Sequence, residues 1–235
     1  MDAATAALFP AEFEESALGL IPKGWHVKSI GDVATVIKGK SYKSNELLDS
    51  DTALVTLKSF ERGGGFRRDG FKGYVGSYKP EQVVAPGECI VAFTDVTQNA
   101  EVIGRAALVE SSKEYARLVA SLDVGILRPN AAGMDASFLY FLLQDERYIA
   151  HIGGYTSGTT VLHLAKDGVP AFRFVLPPEV VLSAFADMAK FLLAKRAVNI
   201  SLSEELVQLR DTLLPRLISG KLRLPEARKQ LEDAL

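Results

Sequence analysis

Positively charged and aromatic side chains gather in residues 38–79 of this 235-residue chain, and their chemistry suits contact with a nucleic acid. The segment holds nine cations and five anions, a local charge of +4. Lysine and arginine neutralise phosphates, and arginine also reads guanine edges. The glycines at 63–65 would let the backbone approach a phosphate. The candidate DNA-binding side chains are Lys38, Lys40, Tyr42, Lys43, Lys58, Arg62, Arg67, Arg68, Lys72, Tyr74 and Tyr78. The alternative is an ordinary solvated hairpin over 61–72, because turns of mixed charge are common.

A loop rich in glycine and hydroxyl groups, residues 153–160, is the second candidate for contact with a phosphate backbone. Hydroxyl groups and backbone amides hydrogen-bond phosphates, but the same residue types form plain surface loops, so both interpretations stay open at this point. The candidate residues are Thr156, Ser157, Thr159 and Thr160.

Signatures of catalysis and metal binding are missing from the sequence. The loop 153–160 has the outline of a nucleotide phosphate loop, but Thr159 and Thr160 stand where lysine followed by serine or threonine is required. The histidines at 26, 151 and 163 are too scattered for a zinc site, and a single cysteine, Cys89, excludes an intramolecular disulfide. We expect no catalytic residue, no metal and no cofactor bound by this chain.

The overall charge of −2 predicts no polyanionic partner, so any nucleic-acid surface must be local. Residues 1–24 carry a net −3 and hold no apolar run long enough for a signal peptide. No stretch of about 20 apolar residues occurs elsewhere. We expect a cytoplasmic protein without a membrane partner.

Two kinds of element must position these candidates. Residues 25–130 predict short strands separated by Gly, Pro, Asn and Asp. The predicted strands are 33–37, 53–57, 89–93, 102–109 and 122–127, and a further strand over 172–176. Helical spacing of apolar residues predicts one helix over 135–152, capped by Asp135 or Ser137. The fold class is therefore α+β, with a β-rich domain over 25–177.

A long helix is predicted after Pro178, over 179–214, because no glycine follows until Gly220. Pro215 should kink or end it. Apolar residues spaced alternately by three and four predict a coiled-coil seam, and a polar step inside that seam favours pairing between molecules over a sealed core. The predicted dimer or partner residues are Val181, Phe185, Met188, Leu192, Asn199, Leu202, Leu206, Leu209 and Leu213.

With these parts laid out, the chain resembles one half of a specificity subunit of a Type I restriction-modification system. The entry segment 13–25, which ends Pro22-Lys23-Gly24-Trp25, is similar to the stretch that opens a target-recognition domain in that family. The segment 209–222 closely resembles the end of the family's conserved helical region. Further similar segments are 30–34, 38–41, 84–91, 157–160 and 175–178.

The chain departs from the family pattern in three places. Glu88 replaces the usual Asp, and residues 179–183 interrupt the usual Leu-x-Glu-Gln entry to the helix. A typical member carries two recognition domains and two helical regions, whereas this chain has one of each.

The resemblance implies a division into an N-terminal arm (1–24), a target-recognition domain (25–177), a coiled-coil helix (178–218) that acts as spacer and dock, and a tail (219–235). It implies a non-catalytic subunit that reads one half of a bipartite site in double-stranded DNA. Its partners would be a modification (methyltransferase) subunit and, in the full complex, a restriction subunit. S-adenosylmethionine, ATP and Mg would bind those partners.

A half-length chain predicts a homodimer with helices paired antiparallel, reading an interrupted palindrome. The alternatives are the C-terminal half of a two-domain subunit, a small cytosolic enzyme that uses the loop 153–160, and a coiled-coil scaffold whose β-rich domain binds protein. Turnover by the isolated chain would favour the enzyme, and steep weakening of DNA binding by salt would favour the DNA-binding subunit.

Overall fold

A computed structural model describes residues 3–97, 99–221 and 225. The chain divides into two compact units, Met1–Asp187 and Met188–Leu235. The first unit mixes short strands and helices, and the second contains most of one long helix, so the α+β expectation is confirmed.

Apart from the long C-terminal helix, the strands and helices are short, as the closely spaced Gly, Pro and Asp residues predict. The strands are β1 (Phe13–Ser16), β2 (Gly19–Pro22), β3 (His26–Ser29), β4 (Ala34–Lys38), β5 (Thr52–Val55), β6 (Lys72–Gly73), β7 (Val83–Val84), β8 (Cys89–Ala92), β9 (Thr94–Asp95), β10 (Ala106–Leu108), β11 (Arg117–Ala120), β12 (Val124–Pro129), β13 (Thr156–Ser157), β14 (Leu162–Leu164) and β15 (Arg173–Leu176). The α-helices are α1 (Ala3–Ala6), α2 (Ile30–Val33), α3 (Ala136–Leu142), α4 (Glu146–Gly153) and α5 (Glu179–Ile218).

A four-stranded sheet in the order β10-β8-β12-β4 forms the central layer. Successive residues of a strand face opposite sides, and all four residues of β8 are buried, so both faces of the sheet are covered. Cys89 and Val91 belong to the cluster shared with α3, α4 and the start of α5. Ile90 and Ala92 belong to the cluster shared with the second sheet, β6-β5-β11-β7.

The predicted single helix over 135–152 is wrong, because the structure has two helices there, α3 and α4. The predicted cap is confirmed, since the Asp135 carboxylate accepts from Phe138 N. A second carboxylate, Asp145, accepts from Arg147 N at 2.8 Å and starts α4. Aspartate competes with the helical backbone in this way, and the break lets Leu143 and Tyr148 both be buried.

The predicted strand over 102–109 is too long, since β10 covers only Ala106–Leu108. The backbone N–H groups of Val102 and Ile103 donate to the carboxylate of Asp95, at 2.6 and 2.8 Å, and not to a neighbouring strand. The buried carboxylate of Asp95 therefore takes the place of a neighbouring strand as the hydrogen-bond acceptor for Val102 and Ile103.

Helix α5 continues through Pro215 to Ile218, three residues past the proline where a kink or end was expected. Proline removes one hydrogen bond, and in the last turn of a helix few others follow. Gly220, at φ +69°, then ends the helix as predicted. Among the described helices, none is both long enough and apolar enough to span a bilayer.

The hairpin β1-β2 occupies the predicted N-terminal arm. Of the predicted tail, residues 222–224 and 226–235 lie outside the described residues.

Candidate nucleic-acid interface

Several loops meet where the parallel strands β5 and β11 end, and we call this region the loop edge (residues 38–43, 56–66, 94–97, 99–101, 121–123 and 156–163). Ser121 N donates to Val55 O at 2.9 Å, which joins the ends of the two strands. Lys40 N donates to Ala120 O at 2.7 Å, which brings the segment 38–43 to the same edge. The sheet thus gathers loops that are far apart in sequence.

The hydroxyl-rich loop becomes the tip of a hairpin, β13-β14, that packs onto the same edge. Strand β14 pairs with β9, with His163 opposite Thr94. The Thr94 hydroxyl donates to the Asp123 carboxylate at 2.8 Å, and this bond ties the hairpin sheet to the turn 121–123. These contacts place His163 and Leu164 of the hairpin beside Lys38, around a shared cleft.

A buried carboxylate, Asp95, organises the backbone that follows β9, at residues 96–97 and 99–103. It accepts from the backbone N–H of Thr97, Val102 and Ile103, at 2.6, 2.6 and 2.8 Å. Burial alone would raise the pKa of this carboxyl, but the hydrogen bonds from these groups and from the Thr97 hydroxyl outweigh it and lower the pKa. Asp95 is therefore ionised at neutral pH and holds the loop by accepting three backbone bonds.

The glycine-rich turn 63–65 joins this loop. Gly63, Gly64 and Gly65 all have positive φ, from +82° to +118°, which explains the run of three glycines. Gly63 N donates to Glu101 O at 3.0 Å, and Arg62 approaches the Glu101 carboxylate at 3.4 Å. Arg62 thus reaches the loop edge, but with a carboxylate beside it.

Three predicted residues, Lys38, Lys40 and Tyr42, belong to the segment 38–43 at the edge, and Tyr42 packs against the cluster of Leu54, Tyr74 and Val119. Neither lysine has an ion-pair partner within residues 3–97, 99–221 and 225. Burial, with the Asp123 carboxylate nearby, raises the pKa of Tyr42, so its hydroxyl stays protonated and can donate. Gly39 is required between the lysines, since a Cβ there would overlap the Ser121 carbonyl oxygen.

A cleft of about 620 Å³ opens under the hairpin, between β4 and β14. Its lining includes the basic side chains of Lys38, His163 and Lys166, the acidic side chains of Asp123 and Asp167, and the apolar ring of Phe93. Lys166 and His163 were not predicted from the sequence, because neither stands in a charged run. Three exposed apolar residues at this edge were also not predicted: Val96, Leu122 and Val161.

The structure buries Tyr74, so this side chain is not available to contact DNA, contrary to the prediction. Its side chain is 1% exposed, it packs with Leu54 and Val119, and its hydroxyl donates to Ser77 O at 3.0 Å. Tyr78 is half-buried against the same cluster and its hydroxyl accepts from Arg117 at 2.8 Å. The tyrosines of the segment thus mainly cover the outer face of the second sheet.

The structure does not bring Arg67 and Arg68 together with the lysines of the loop edge. Arg67 forms a bidentate pair with Asp69, at 3.0 and 2.6 Å, and these bonds raise the pKa of the guanidinium. Arg68 donates to Glu110 at 2.7 Å. The local excess of +4 is therefore partly neutralised by neighbours that the sequence count could not pair.

The remaining predicted residues differ in how far they are available. Lys43 and Lys58 are exposed, while Lys72 lies half-buried in β6, opposite Leu54. Thr156 is committed to a helix end, since its hydroxyl donates to Ile152 O at 2.9 Å. The side chains exposed at the hairpin tip are Ser157, Thr159 and Thr160.

No group of three or more His, Cys, Asp or Glu side chains is gathered for a metal in the described ranges. Cys89 is fully buried in the central sheet, and burial raises the pKa of its thiol far above the ordinary range. This thiol is inert at neutral pH.

The predicted seam on α5 splits into two parts. Val181 is buried in the chain's own domain, and the ring of Phe185 packs at 5.6 and 5.8 Å from the rings of Phe138 and Phe141. These two residues therefore serve the core and not a partner surface. Farther along, Leu209 is half-buried and Leu213 buried. The exposed members are Met188, Leu192, Asn199, Leu202 and Leu206.

No protein-family model matches the chain. Two curated relatives do. The chain is 24% identical over 208 residues to the Type I restriction enzyme MjaIX specificity subunit of Methanocaldococcus jannaschii, which covers 88% of this chain and 46% of the relative. It is 22% identical over 230 residues to the Type I restriction enzyme HindI specificity subunit of Haemophilus influenzae, covering 94% and 48%. The chain thus spans about half the length of the curated relatives it matches.

The fold has a counterpart of known structure. The crystal structure of a Type I restriction-modification system S subunit from M. genitalium aligns with a TM-score of 0.55 at 14% identity, over 83% of this chain and 46% of that one. The resemblance read from the sequence is confirmed: the relatives of this chain are Type I specificity subunits.

Proposed function

From this relationship to Type I specificity subunits, we propose that the chain is a non-catalytic subunit that directs a modification enzyme to one half of a bipartite DNA site. The observation that supports it best is the loop edge, where Lys38 and Lys40, which have no ion-pair partner among the described residues, lie at the same edge of the domain as the hairpin β13-β14. Cations position a protein on phosphates, and polar or apolar loop side chains read bases. Exposed Val96, Leu122 and Val161 suit contact with thymine methyl groups.

In this proposal helix α5 is the spacer and the dock. Its exposed apolar residues pair with the same helix of a second copy, antiparallel, and with the modification subunit. Two copies related by a two-fold axis would read two identical half-sites in inverted orientation. Adenine methylation and cleavage, with S-adenosylmethionine, ATP and Mg, would belong to the modification and restriction subunits.

DNA binding by the purified full chain tests the proposal, with fluorescence anisotropy on duplex DNA at several salt concentrations. Each phosphate contact contributes about 0.9 to the slope of log K against log salt. We expect Lys38→Ala and Lys40→Ala each to lower that slope by about 1 per site and to weaken binding. Duplex binding that is absent at low salt would overturn the proposal.

Arg67→Ala is the matched control, because it removes a cation from the same charged segment. Asp69 already neutralises Arg67, so we expect a change in affinity of no more than about twofold. If Arg67→Ala weakened binding as much as Lys38→Ala, the interface would have to move from the loop edge to the segment 67–72.

A further inference from the structure

The N-terminal hairpin exposes an apolar face. Residues directly opposite each other in the register lie on the same face, so Phe13, Glu15 and Leu20 point the same way. Phe13 is 62% and Leu20 67% exposed, and they are diagonal neighbours within reach of each other. Two large apolar side chains therefore share the exposed face of the hairpin.

The opposite face of the hairpin is covered in part, because Ile21 is buried. The two ends of the hairpin are tied to each other, since the carboxylate of Glu14 accepts from Gly24 N at 3.0 Å and Glu12 pairs with Lys23 at 2.5 Å. The hairpin therefore presents Phe13 and Leu20 on its open face.

The hairpin leads directly into the strand pair that ends at α5. Strand β3 follows β2 and pairs antiparallel with β15, with His26 opposite Leu176. Helix α5 begins at Glu179, three residues later. The base of the hairpin and the first turn of α5 thus lie at the same end of the β3-β15 pair.

We propose that the outward face of this hairpin binds the last turns of α5 from a second copy of the chain. The inference rests on the antiparallel dimer proposed above. A helix of 40 residues is about 60 Å long. When two such helices pair antiparallel through the exposed seam residues between 188 and 206, the last turns of one lie beside the first turns of the other, which is where the hairpin stands.

The two surfaces match in chemistry. The end of α5 exposes Leu214 and Ile218, the latter 79% exposed, and next to them stand Arg216 and Lys221. Neither of these cations has an ion-pair partner in the part of the chain that the structure describes. On the hairpin, Glu15 lies directly opposite Leu20 and two residues along the strand from Phe13, and residues 1–24 carry a net −3. An apolar centre with opposite charges on its two sides suits a specific contact.

Sedimentation of the full chain tests whether the hairpin contact strengthens dimerisation. The double variant Phe13→Ser with Leu20→Ser should weaken dimerisation by at least about tenfold, because two-fold symmetry removes the contact twice per dimer. The matched control is Leu48→Ser with Val75→Ser, two exposed apolar side chains elsewhere on the same domain. It should leave the dimer constant within about twofold.

Cross-linking tests the placement. The lone native cysteine, Cys89, is buried and stays silent. A Phe13→Cys chain is mixed with an Ile218→Cys chain, equilibrated and oxidised. We expect a disulfide-linked heterodimer, and none when Leu48→Cys replaces Phe13→Cys.

The outcomes separate the two proposals. If the wild-type chain is a monomer at all concentrations, the dimer and the hairpin contact both fail. If it dimerises but the hairpin double variant dimerises equally well and no 13–218 link forms, the hairpin contact is overturned while the helix-paired dimer stands.

Discussion

The Asp95 carboxylate accepts three backbone hydrogen bonds, and Asp95→Asn replaces one of its two oxygens by an NH₂ group. We expect this substitution to destabilise the chain and to release the backbone that follows β9. The amide oxygen can still accept the hydrogen bonds from Val102 N and Ile103 N. The new NH₂ group then faces Thr97 N, and because both groups are donors they cannot form a hydrogen bond. One unsatisfied N–H costs about 1–3 kcal/mol, and the two remaining bonds lose their charge assistance, roughly 0.5–1 kcal/mol each. We expect the free energy of unfolding to fall by about 2–5 kcal/mol.

Urea unfolding at fixed protein concentration measures this, since a dimer's stability depends on concentration. Asp123→Asn is the matched control. It is also an aspartate of the loop edge, but it accepts a single described hydrogen bond, from the Thr94 hydroxyl, which an amide oxygen accepts equally well. We expect it to cost less than about 1 kcal/mol.

The pH dependence gives a second readout with a definite sign. The folded pKa of Asp95 lies below its unfolded value of about 3.9, so its contribution is complete well above pH 4 and is lost as pH falls through the folded pKa. The difference in unfolding free energy between wild type and Asp95→Asn should therefore be constant near neutral pH and shrink on acidification. A cost of Asp95→Asn below about 1 kcal/mol, or a difference that grows in acid, would refute the role assigned to this carboxylate.

Three further predictions concern single sites. Gly39→Ala should lower the free energy of unfolding in urea by about 2 kcal/mol or more, because its Cβ would overlap the Ser121 carbonyl oxygen. Gly87→Ala is the control: its φ is positive but the space around it is open, so its loss of unfolding free energy should be clearly smaller. Tyr148→Phe should be neutral or stabilising in a thermal melt, because the buried hydroxyl has no hydrogen-bond partner in the described structure, and a large loss would mean that an unseen partner satisfies it. Leu206→Lys should convert the proposed dimer to monomer in light scattering without changing the far-UV circular dichroism, since this side chain is exposed in the single chain; an intact dimer would exclude this part of α5 from the interface.

The sequence predicted the elements whose signals are local. Asp135 as a cap, Gly220 as a helix end and the buried run of β8 each depend on a residue and its close neighbours, and all three are confirmed. The break between α3 and α4 escaped because the apolar spacing continues across it, and only the Asp145 side chain interrupts the helix.

The candidate interface was harder to predict, because charge counting along a sequence does not pair charges in space. Arg68 and Glu110 lie 42 positions apart, yet they neutralise each other. Tyr74 was predicted to contact bases, but its side chain is buried against Leu54 of β5 and Val119 of β11. Conversely, Lys166 and His163 are isolated in sequence, and only the pairing of β14 with β9 brings them beside Lys38.

Selection of duplexes from a random DNA library by the purified full chain, followed by sequencing, shows whether this chain recognises a DNA sequence. We expect enrichment of one short motif present twice in inverted orientation at a fixed spacing, and loss of that enrichment in the Lys38→Ala, Lys40→Ala double variant but not in Arg67→Ala. A chain that enriches no motif at low salt would contradict this expectation.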